Sequence, residues 1–336
     1  MAFYRLALCS AIAALGSAAL IALPPLYAAE GKKPVQATLA SKPAAKTASV
    51  KPVAKKASRK TAAKKVVRKP APESRDGLDL TDGGLPNLKS ATALVVDLSD
   101  GRTIYAKNTR NVAPIASITK LMTAMVLLDA DLPLEEIIYI DSADLDLVKH
   151  TNSRLAVGTG LPRRDMLRLA LMSSENRAAA SLARSYPGGN EAFIAAMNRK
   201  GVELGMWDTR FVDSTGLSSE NVSTAEDLVK MVKGAYQYPL IREFTTTSAH
   251  EVETAAGRNL QFRNSNGLVK NAAWEIGLSK TGYISEAGRC LVMQARIAAR
   301  PVVIVLLDSW GRLTRTADAN RIKKWLESRT GREPLG

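Results

Sequence analysis

The chain has 336 residues and a formal net charge of +15, and most of that charge lies in one short part of it. Residues 31–76 contain 14 Lys or Arg and two acidic residues, a net charge of +12, which leaves about +3 for residues 77–336. This nearly balanced composition excludes a polyanion-binding function for residues 77–336 as a whole. Their single cysteine is Cys290, and the other cysteine of the chain is Cys9, so a fold held together by several disulfides is excluded as well.

The first 29 residues have the pattern of a secretory signal peptide. Arg5 is the only charged residue before and within an apolar run from 6 to 23, and Ala28-Ala29 offers a cleavage site of small residues. We therefore predict a cleaved leader over residues 1–29 and export of the rest of the chain. An uncleaved anchor is the alternative, because an apolar run of 18 residues is at the lower limit for a membrane span.

Residues 30–76 are rich in Lys, Ala, Pro, Ser and Thr and contain no aromatic residue. Such a segment cannot bury enough apolar surface to fold, so we predict a disordered, extended tether. Its charge resembles that of nucleic-acid-binding tails, but export and the lack of interleaved aromatic residues argue against a nucleic-acid partner. An anionic wall or membrane surface is the partner that this charge favours.

The remaining residues, 77–336, are long enough for one sizeable domain, and their pattern predicts strands at both ends and helices between them. A hairpin is predicted from two β-forming runs around a Ser-Asp-Gly turn, and a capping box at 223–226 predicts the start of a helix. The order of strands, helices, strands and a last helix predicts an α+β domain with a helical insertion. The predicted strands are 93–97, 102–106, 290–297 and 302–307, and the predicted helices include 164–172, 176–186, 191–204 and 314–328.

Within this domain the stretch 115–128 is apolar on nearly every face, as in a helix buried on most sides, yet it contains Lys120. Burial lowers the pKa of a lysine, which makes Lys120 either the partner of an anion or a base. Ser117 lies three residues earlier on the same face, near the helix N-terminus, where free N–H groups favour a developing oxyanion. The pattern fits a nucleophile beside its base, although a serine cap and a snorkelling lysine would give the same spacing.

Two further motifs add to this pair. Ser174-Glu175-Asn176 lies between two predicted helices, and Lys280-Thr281-Gly282 comes just before the strand predicted at 290–297. A second Ser-Ser-Glu-Asn at 218–221 has the features of an ordinary loop and helix cap. The order S-x-x-K, S-x-N, K-T-G is the signature of penicillin-binding proteins and class A β-lactamases.

Metal-dependent and triad hydrolases are disfavoured. His150 and His250 stand in polar, loop-like surroundings, and the sequence has neither H-E-x-x-H nor G-x-S-x-G. We therefore expect no metal and no cofactor.

With these motifs in place, residues 94–326 resemble the low-molecular-mass penicillin-binding proteins, the serine-type D-Ala-D-Ala peptidases of family S11. Within that family the likeness is to the D-alanyl-D-alanine endopeptidases of the penicillin-binding protein seven type. Glu175 is similar to those endopeptidases, where carboxypeptidases usually have glycine. The chain also ends about fifty residues after Lys280, without the extra β-domain and anchor helix of many carboxypeptidases. The stretches that carry the likeness are 116–125, 172–180, 214–217, 262–266 and 279–282.

The resemblance implies a β-lactamase/transpeptidase-like fold, with a central antiparallel sheet flanked by helices and a mostly helical lobe. It implies a periplasmic DD-peptidase domain over residues 77–336 that cleaves D-alanyl-meso-diaminopimelate cross-links in peptidoglycan during cell-wall remodelling. Penicillins and other β-lactams would act as acylating inhibitors.

The resemblance also implies roles for single residues. Ser117 would form the acyl-enzyme with Lys120 as its base, Ser174 would relay a proton to the leaving amine, and Asn176 would orient the substrate peptide. Lys280 and Thr281 would hold the carboxylate beside the scissile bond, and a positive Lys280 would help to keep Lys120 neutral. Gly282 completes the third motif, and the N–H groups of Ser117 and Tyr283 would form the oxyanion hole.

Three other functions stay open at this point. A D-alanyl-D-alanine carboxypeptidase that trims pentapeptide stems would use the same site. A β-lactamase would share the fold, although no separate deacylating glutamate motif is evident. A non-catalytic wall-binding protein would use the basic tether and keep the domain as a vestige.

Overall fold

The structure is a computed structural model that describes residues 78–330. The predicted leader, 1–29, and the predicted tether, 30–76, lie outside the described residues and stay predictions. In the described part of the chain, no helix is long and apolar enough to cross a membrane.

The strands form one large sheet and three short pairs. The five strands of the large sheet are all antiparallel to their neighbours and run in the order β2-β1-β11-β10-β9, so β9 lies at one edge. The three short pairs are β3 with β6, β4 with β5, and β7 with β8. The strands are Ser90–Asp97 (β1), Thr103–Lys107 (β2), Ala113–Pro114 (β3), Ile137–Tyr139 (β4), Gly160–Pro162 (β5), Val222–Ser223 (β6), Ala249–Glu253 (β7), Asn259–Arg263 (β8), Glu275–Ile284 (β9), Gly288–Ile297 (β10) and Arg300–Ser309 (β11).

Most of the helices lie in sequence between the hairpin β1–β2 and the edge strand β9. Within residues 78–330, a single helix follows the last strand. The helices are Lys120–Asp129 (α1), Arg163–Met172 (α2), Asn176–Arg184 (α3), Gly189–Glu203 (α4), Ala225–Ala235 (α5), Pro239–Thr246 (α6) and Thr314–Thr330 (α7).

Both faces of the large sheet are covered, which explains why β11 shows no alternation of polar and apolar residues. Along β11, Val303 and Val305 point into the larger core with α1 to α6, whereas Ile304 and Leu306 point into a smaller core that α7 closes with Trp325. The sheet is therefore the middle layer between α7 and the helical part of the domain. α1 lies at the centre of the larger core, with residues 121–127 all buried.

These features confirm the predicted α+β class, the antiparallel sheet flanked by helices and the mostly helical lobe. The N-cap of α5 is Thr224, one residue later than predicted, and its side chain accepts the hydrogen bond of the Asp227 N–H. His250 lies in β7 rather than in a loop, and its Nε2 is 3.0 Å from a carboxylate oxygen of Asp165. The sequence pattern did not predict α6, the short strands β3 to β8, or β9.

Candidate active site

Ser117 lies in a tight 3-10 turn, Ala116–Thr119, that leads directly into α1. Residues three apart eclipse in such a turn, so Ser117 and Lys120 share a face, and the Lys120 Nζ donates to the Ser117 Oγ at 2.9 Å. The helix predicted for this stretch is present, but its first turn is 3-10 rather than α. Ala116 has a φ of +47°, and Gly216 packs so closely that a Cβ there would lie 2.0 Å from the Ala116 carbonyl oxygen. The turn is held in this strained shape by the loop against it.

The Lys120 ammonium is 1% exposed and has three acceptors around it. Besides Ser117, its Nζ donates to the Asn176 Oδ1 at 2.8 Å and to the Thr215 carbonyl oxygen at 2.6 Å. An ammonium group has three donors, so all three are used here. When Lys120 loses a proton it keeps two donors, and the lone pair that appears can accept the Ser117 proton.

Burial lowers the pKa of Lys120 to about 7, although the charges of Asp213 and Glu175 oppose this shift. Burial also lowers the pKa of Lys280 well below its usual value, and the charge of Lys120 lowers it further. The resemblance implied that a positive Lys280 helps to keep Lys120 neutral. The structure gives burial as the first cause for both lysines.

The second motif begins with a residue in a left-handed conformation. Ser174 connects α2 to α3 with a φ of +64°, and its Oγ accepts a hydrogen bond from the Lys280 Nζ at 2.9 Å. Asn176 is the first residue of α3. Its Oδ1 faces Lys120, and its Nδ2 donates to the Thr151 Oγ1 at 3.0 Å. The second motif thus contacts both buried lysines.

The third motif lies inside the edge strand β9, not before a strand as predicted. Lys280 is 1% exposed and donates to the Thr281 carbonyl oxygen at 2.9 Å as well as to Ser174. The Thr281 Oγ1 donates to the Ser265 Oγ at 2.7 Å. β9 is an edge strand, and Lys280 reaches from it to Ser174 in the helical part of the domain.

Gly282 lets β9 approach the turn that carries Ser117. A Cβ at Gly282 would lie 3.0 Å from the Ala116 Cβ, the Ile115 carbonyl oxygen and the Ser117 backbone nitrogen. A side chain would therefore push the strand away from Ser117. Tyr283 follows Gly282 on the strand, and its side chain is 56% exposed.

The model of the family described as D-alanyl-D-alanine carboxypeptidase, peptidase family S11, matches residues 81–310. The chain belongs to this family. The three motifs of this chain meet in one cleft between the edge strand and the helical lobe.

Named relatives and a solved structure support the same assignment. The chain is 51% identical over 252 residues to a D-alanyl-D-alanine endopeptidase of Pseudomonas aeruginosa, covering 73% of this chain and 80% of the relative. It is 49% identical over 250 residues to a D-alanyl-D-alanine endopeptidase of Escherichia coli K12, covering 74% and 80%. The structure of the Streptomyces K15 DD-transpeptidase superposes with a TM-score of 0.66 at 28% identity, covering 71% of this chain and 97% of that one.

Several contributors to the site of this S11 peptidase were not predicted individually. The carboxylate of Asp213 accepts the N–H groups of Thr215 and Gly216, each at 2.6 Å, and so fixes the carbonyl that faces Lys120. Arg315 of α7 donates to the carbonyl oxygens of Gly282 and Cys290, at 2.8 and 3.0 Å. Thr215 and Ser265 lie in the stretches 214–217 and 262–266, which carried the family resemblance. No sequence pattern around Arg315 indicated that it contributes to the site.

The second Ser-Ser-Glu-Asn copy has a structural role. The buried Asn221 accepts the Val212 N–H at 2.7 Å and donates to the Thr119 Oγ1 at 3.1 Å and to the Asp213 carbonyl oxygen at 3.0 Å. It shapes the loop that packs against α1. The structure therefore brings Asn176, and not Asn221, to Lys120.

A cavity of about 540 Å³ opens beside the site of this S11 peptidase. It lies between the segments 143–149 and 213–219, and Asn176 and Thr215 form part of its wall. Among residues 78–330, no group of three or more His, Cys, Asp or Glu side chains is arranged to hold a metal ion. The one cysteine in that range, Cys290, is buried with a free thiol.

Proposed function

We propose that the protein is a serine DD-peptidase that hydrolyses D-alanyl-meso-diaminopimelate cross-links in peptidoglycan through an acyl-enzyme on Ser117. The observation that carries the proposal is the Ser117–Lys120 pair, with a hydroxyl 2.9 Å from a buried amine whose pKa is lowered to about 7. The D-alanyl-D-alanine endopeptidases of two species, at 51% and 49% identity, support cross-link cleavage as the reaction.

Acylation begins with proton transfer from Ser117 to neutral Lys120. The Ser117 Oγ then attacks the carbonyl of the D-alanine residue, and a C–O bond forms as the carbonyl oxygen becomes an oxyanion. The N–H groups of Ser117 and Tyr283 would stabilise that oxyanion. The close approach of Gly282 to the Ser117 nitrogen supports this role, because it brings the start of the Tyr283 peptide near the turn.

The leaving group is the amine of the second stem peptide. As the C–N bond breaks, Ser174, whose Oγ accepts from Lys280, would pass a proton to that amine. The proton that Lys120 took from Ser117 would then restore the Ser174 hydroxyl, which leaves Lys120 neutral again. Lys280 and Thr281 would hold the carboxylate next to the scissile bond. Asn176, with its amide fixed between Lys120 and Thr151, would orient the substrate peptide. Water then releases the acyl group from Ser117.

β-Lactams would enter the same pathway, because the Ser117 Oγ can open the lactam ring and leave a covalent adduct. The test is to incubate the purified full chain with a cross-linked muropeptide dimer, with and without penicillin, and to follow the products by mass. We expect penicillin-sensitive conversion of dimer to monomers. Ser117→Ala should lose both this activity and the penicillin adduct while keeping the wild-type melting temperature. Covalent labelling of Ser117→Ala would contradict the assignment.

A carboxypeptidase is the second candidate, because the matching family model is described as D-alanyl-D-alanine carboxypeptidase. The same site would accept a pentapeptide stem, since both substrates offer a D-alanine amide beside a carboxylate. A pentapeptide monomer assayed in parallel separates the two activities. Loss of the terminal alanine without cleavage of the dimer would establish a carboxypeptidase. Rapid turnover of a chromogenic cephalosporin would instead establish a β-lactamase, and the absence of a penicillin adduct would favour a wall-binding protein.

Export and surface attachment belong to the proposal as well. The pattern of residues 1–29 supports export to the periplasm, and the net charge of +12 in residues 31–76 supports a tether near an anionic wall or membrane surface. Deletion of residues 31–76 should weaken binding of the exported protein to vesicles of anionic lipid or to isolated wall. Equal binding with and without that segment would contradict the tether.

A further inference from the structure

The second motif contains a buried carboxylate that the proposed reaction does not use. Glu175, between Ser174 and Asn176, is 8% exposed. Its Oε1 accepts hydrogen bonds from the Ser153 Oγ at 2.7 Å and from the Arg154 N–H at 3.3 Å. Both donors are neutral groups, so burial of this charge is costly and needs an explanation.

Glu175 and the two residues after it all bind one neighbouring segment, residues 151–155. Glu175 binds Ser153, the Asn176 Nδ2 binds the Thr151 Oγ1, and an Arg177 guanidinium nitrogen donates to the Leu155 carbonyl oxygen at 2.7 Å. Three successive residues of the second motif therefore hold three alternate residues of the 151–155 segment. The carboxylate makes the central contact of this set.

The same segment is fixed on its other side. The Arg154 guanidinium donates to the Gln261 carbonyl oxygen and lies 4.2 Å from the centre of the Phe262 ring in β8. The segment thus bridges α3 and the hairpin β7–β8.

The position of residues 151–155 affects Lys120 through the side-chain amide of Asn176. The Asn176 Nδ2 donates to Thr151, which leaves the Oδ1 to accept from Lys120. If residues 151–155 moved away, this amide would lose the contact that fixes its orientation. A turned amide would present its NH2 group to the ammonium of Lys120, which has no acceptor to offer in return.

Glu175 also acts on Lys120 through its charge. The charged groups that face Lys120 are Glu175 from the start of α3, Asp213 from the loop before Gly216, and Lys280 from β9. The two carboxylates raise the pKa of Lys120 against burial.

We propose that Glu175 is a positioning residue of the reaction, whose buried carboxylate fastens residues 151–155 to the second motif and so keeps the Asn176 oxygen turned toward Lys120. This inference rests on the proposed function, because it gives Glu175 a part in acylation of Ser117. It assigns to Glu175 no contact with the substrate.

The experiment measures the rate of acylation of the full chain by a fluorescent penicillin as a function of pH. Glu175→Ala loses both the anchor and the charge, so we expect acylation to be at least about tenfold slower at every pH. Glu175→Gln keeps an oxygen that can accept from Ser153 and Arg154. We expect its best rate to stay within about threefold of wild type, with the midpoint of the pH profile moved to lower pH. Ser153→Ala should slow acylation without moving the midpoint, because the charge remains.

The matched control is Glu220→Gln in the second Ser-Ser-Glu-Asn copy, where the glutamate is exposed and pairs with Arg210 on the surface. It should acylate as the wild type does. Should Glu175→Ala fail to fold, the pH midpoint of Glu175→Gln and the rate of Ser153→Ala decide the question.

A lower melting temperature for Glu175→Ala with an unchanged rate and pH midpoint would overturn the inference and leave Glu175 purely structural. A wild-type chain that penicillin does not acylate would instead overturn the proposed function itself. The two failures are therefore distinguishable.

Discussion

The Lys280 Nζ lies 2.9 Å from the Ser174 Oγ, and this hydrogen bond joins the edge strand of the sheet to the helical lobe across the cleft. Lys280 and Lys120 are each 1% exposed, and the positive charge of one disfavours that of the other. Repulsion between two cations is mutual, so the buried site favours one charge over two. A substrate carboxylate beside Lys280 would stabilise the protonated form of Lys280. Lys120 would then be neutral, which is the state that acylation needs.

Replacement of Lys280 by methionine should slow acylation by penicillin about 100-fold, because a buried, hydrogen-bonded charge that meets the ligand carboxylate is lost. The acylation rate from stopped-flow fluorescence measures the effect. Lys233→Met, at an exposed position on α5, is the control and should match the wild type. Acylation of Lys280→Met at the wild-type rate would show that Lys280 takes no part in acylation.

The pH dependence of acylation in the wild type should report the protonation of Lys120 directly. Lys120 must be neutral to accept the Ser117 proton, and its pKa is lowered to about 7, so acylation should rise as the pH increases through about 7. The second-order rate constant of acylation, measured below saturation with penicillin, reports the free protein, whereas turnover of a saturating peptide substrate reports the complex. We expect the midpoint for the complex at lower pH than for the free protein, because the bound carboxylate keeps the charge on Lys280. Equal midpoints would argue against that coupling.

The sequence predicted the parts of the site that are encoded locally. The spacing of Ser117 and Lys120 placed them on one face whether the backbone formed an α-helix or a 3-10 turn. The apolar surroundings of Lys120 predicted its lowered pKa, and burial is indeed the first cause.

Features that depend on distant contacts were not predicted. β9 escaped detection because Ser279, Lys280 and Thr281 are polar, yet all three are buried by elements far away in sequence. Ala116, with its positive φ, packs against Gly216, a hundred residues later, and Arg315 reaches the Gly282 carbonyl oxygen from α7, the helix after the last strand. No local pattern contains this information.

Replacement of Gly282 by alanine tests whether β9 must lie against the Ser117 turn. The new Cβ would come within 3.0 Å of two backbone atoms, the Ile115 oxygen and the Ser117 nitrogen, neither of which can rotate away. We expect acylation to fall at least about tenfold, with a loss of roughly 1–3 kcal/mol in the free energy of unfolding. Gly267→Ala, where a Cβ meets nothing within 4 Å, should change neither quantity. Wild-type acylation by Gly282→Ala would show that the strand can move without harm to the oxyanion site.

A buried carboxylate on α7 stabilises the fold outside the active site. Asp318 of α7 is fully buried, and its carboxylate accepts the N–H groups of Lys89 and Ser90, the Ser90 hydroxyl, and a guanidinium nitrogen of Arg321. It ties the C-terminal helix to the start of β1. Asp318→Asn has one acceptor oxygen instead of two, and its NH2 group would face the donors, so buried groups would be left unpaired.

We therefore expect Asp318→Asn to lose about 2–4 kcal/mol of unfolding free energy, which for a domain of this size lowers the melting temperature by roughly 4–16 °C. Thermal unfolding followed by circular dichroism measures this loss. Acylation by penicillin at 25 °C should stay within about twofold of wild type, because α7 lies on the opposite face of the sheet from Ser117. Asp131→Asn, at an exposed position after α1, is the control and should melt as the wild type does. If Asp318→Asn lost acylation at 25 °C while its melting temperature stayed at the wild-type value, α7 would act on the site through Arg315. The two faces of the sheet would then be coupled.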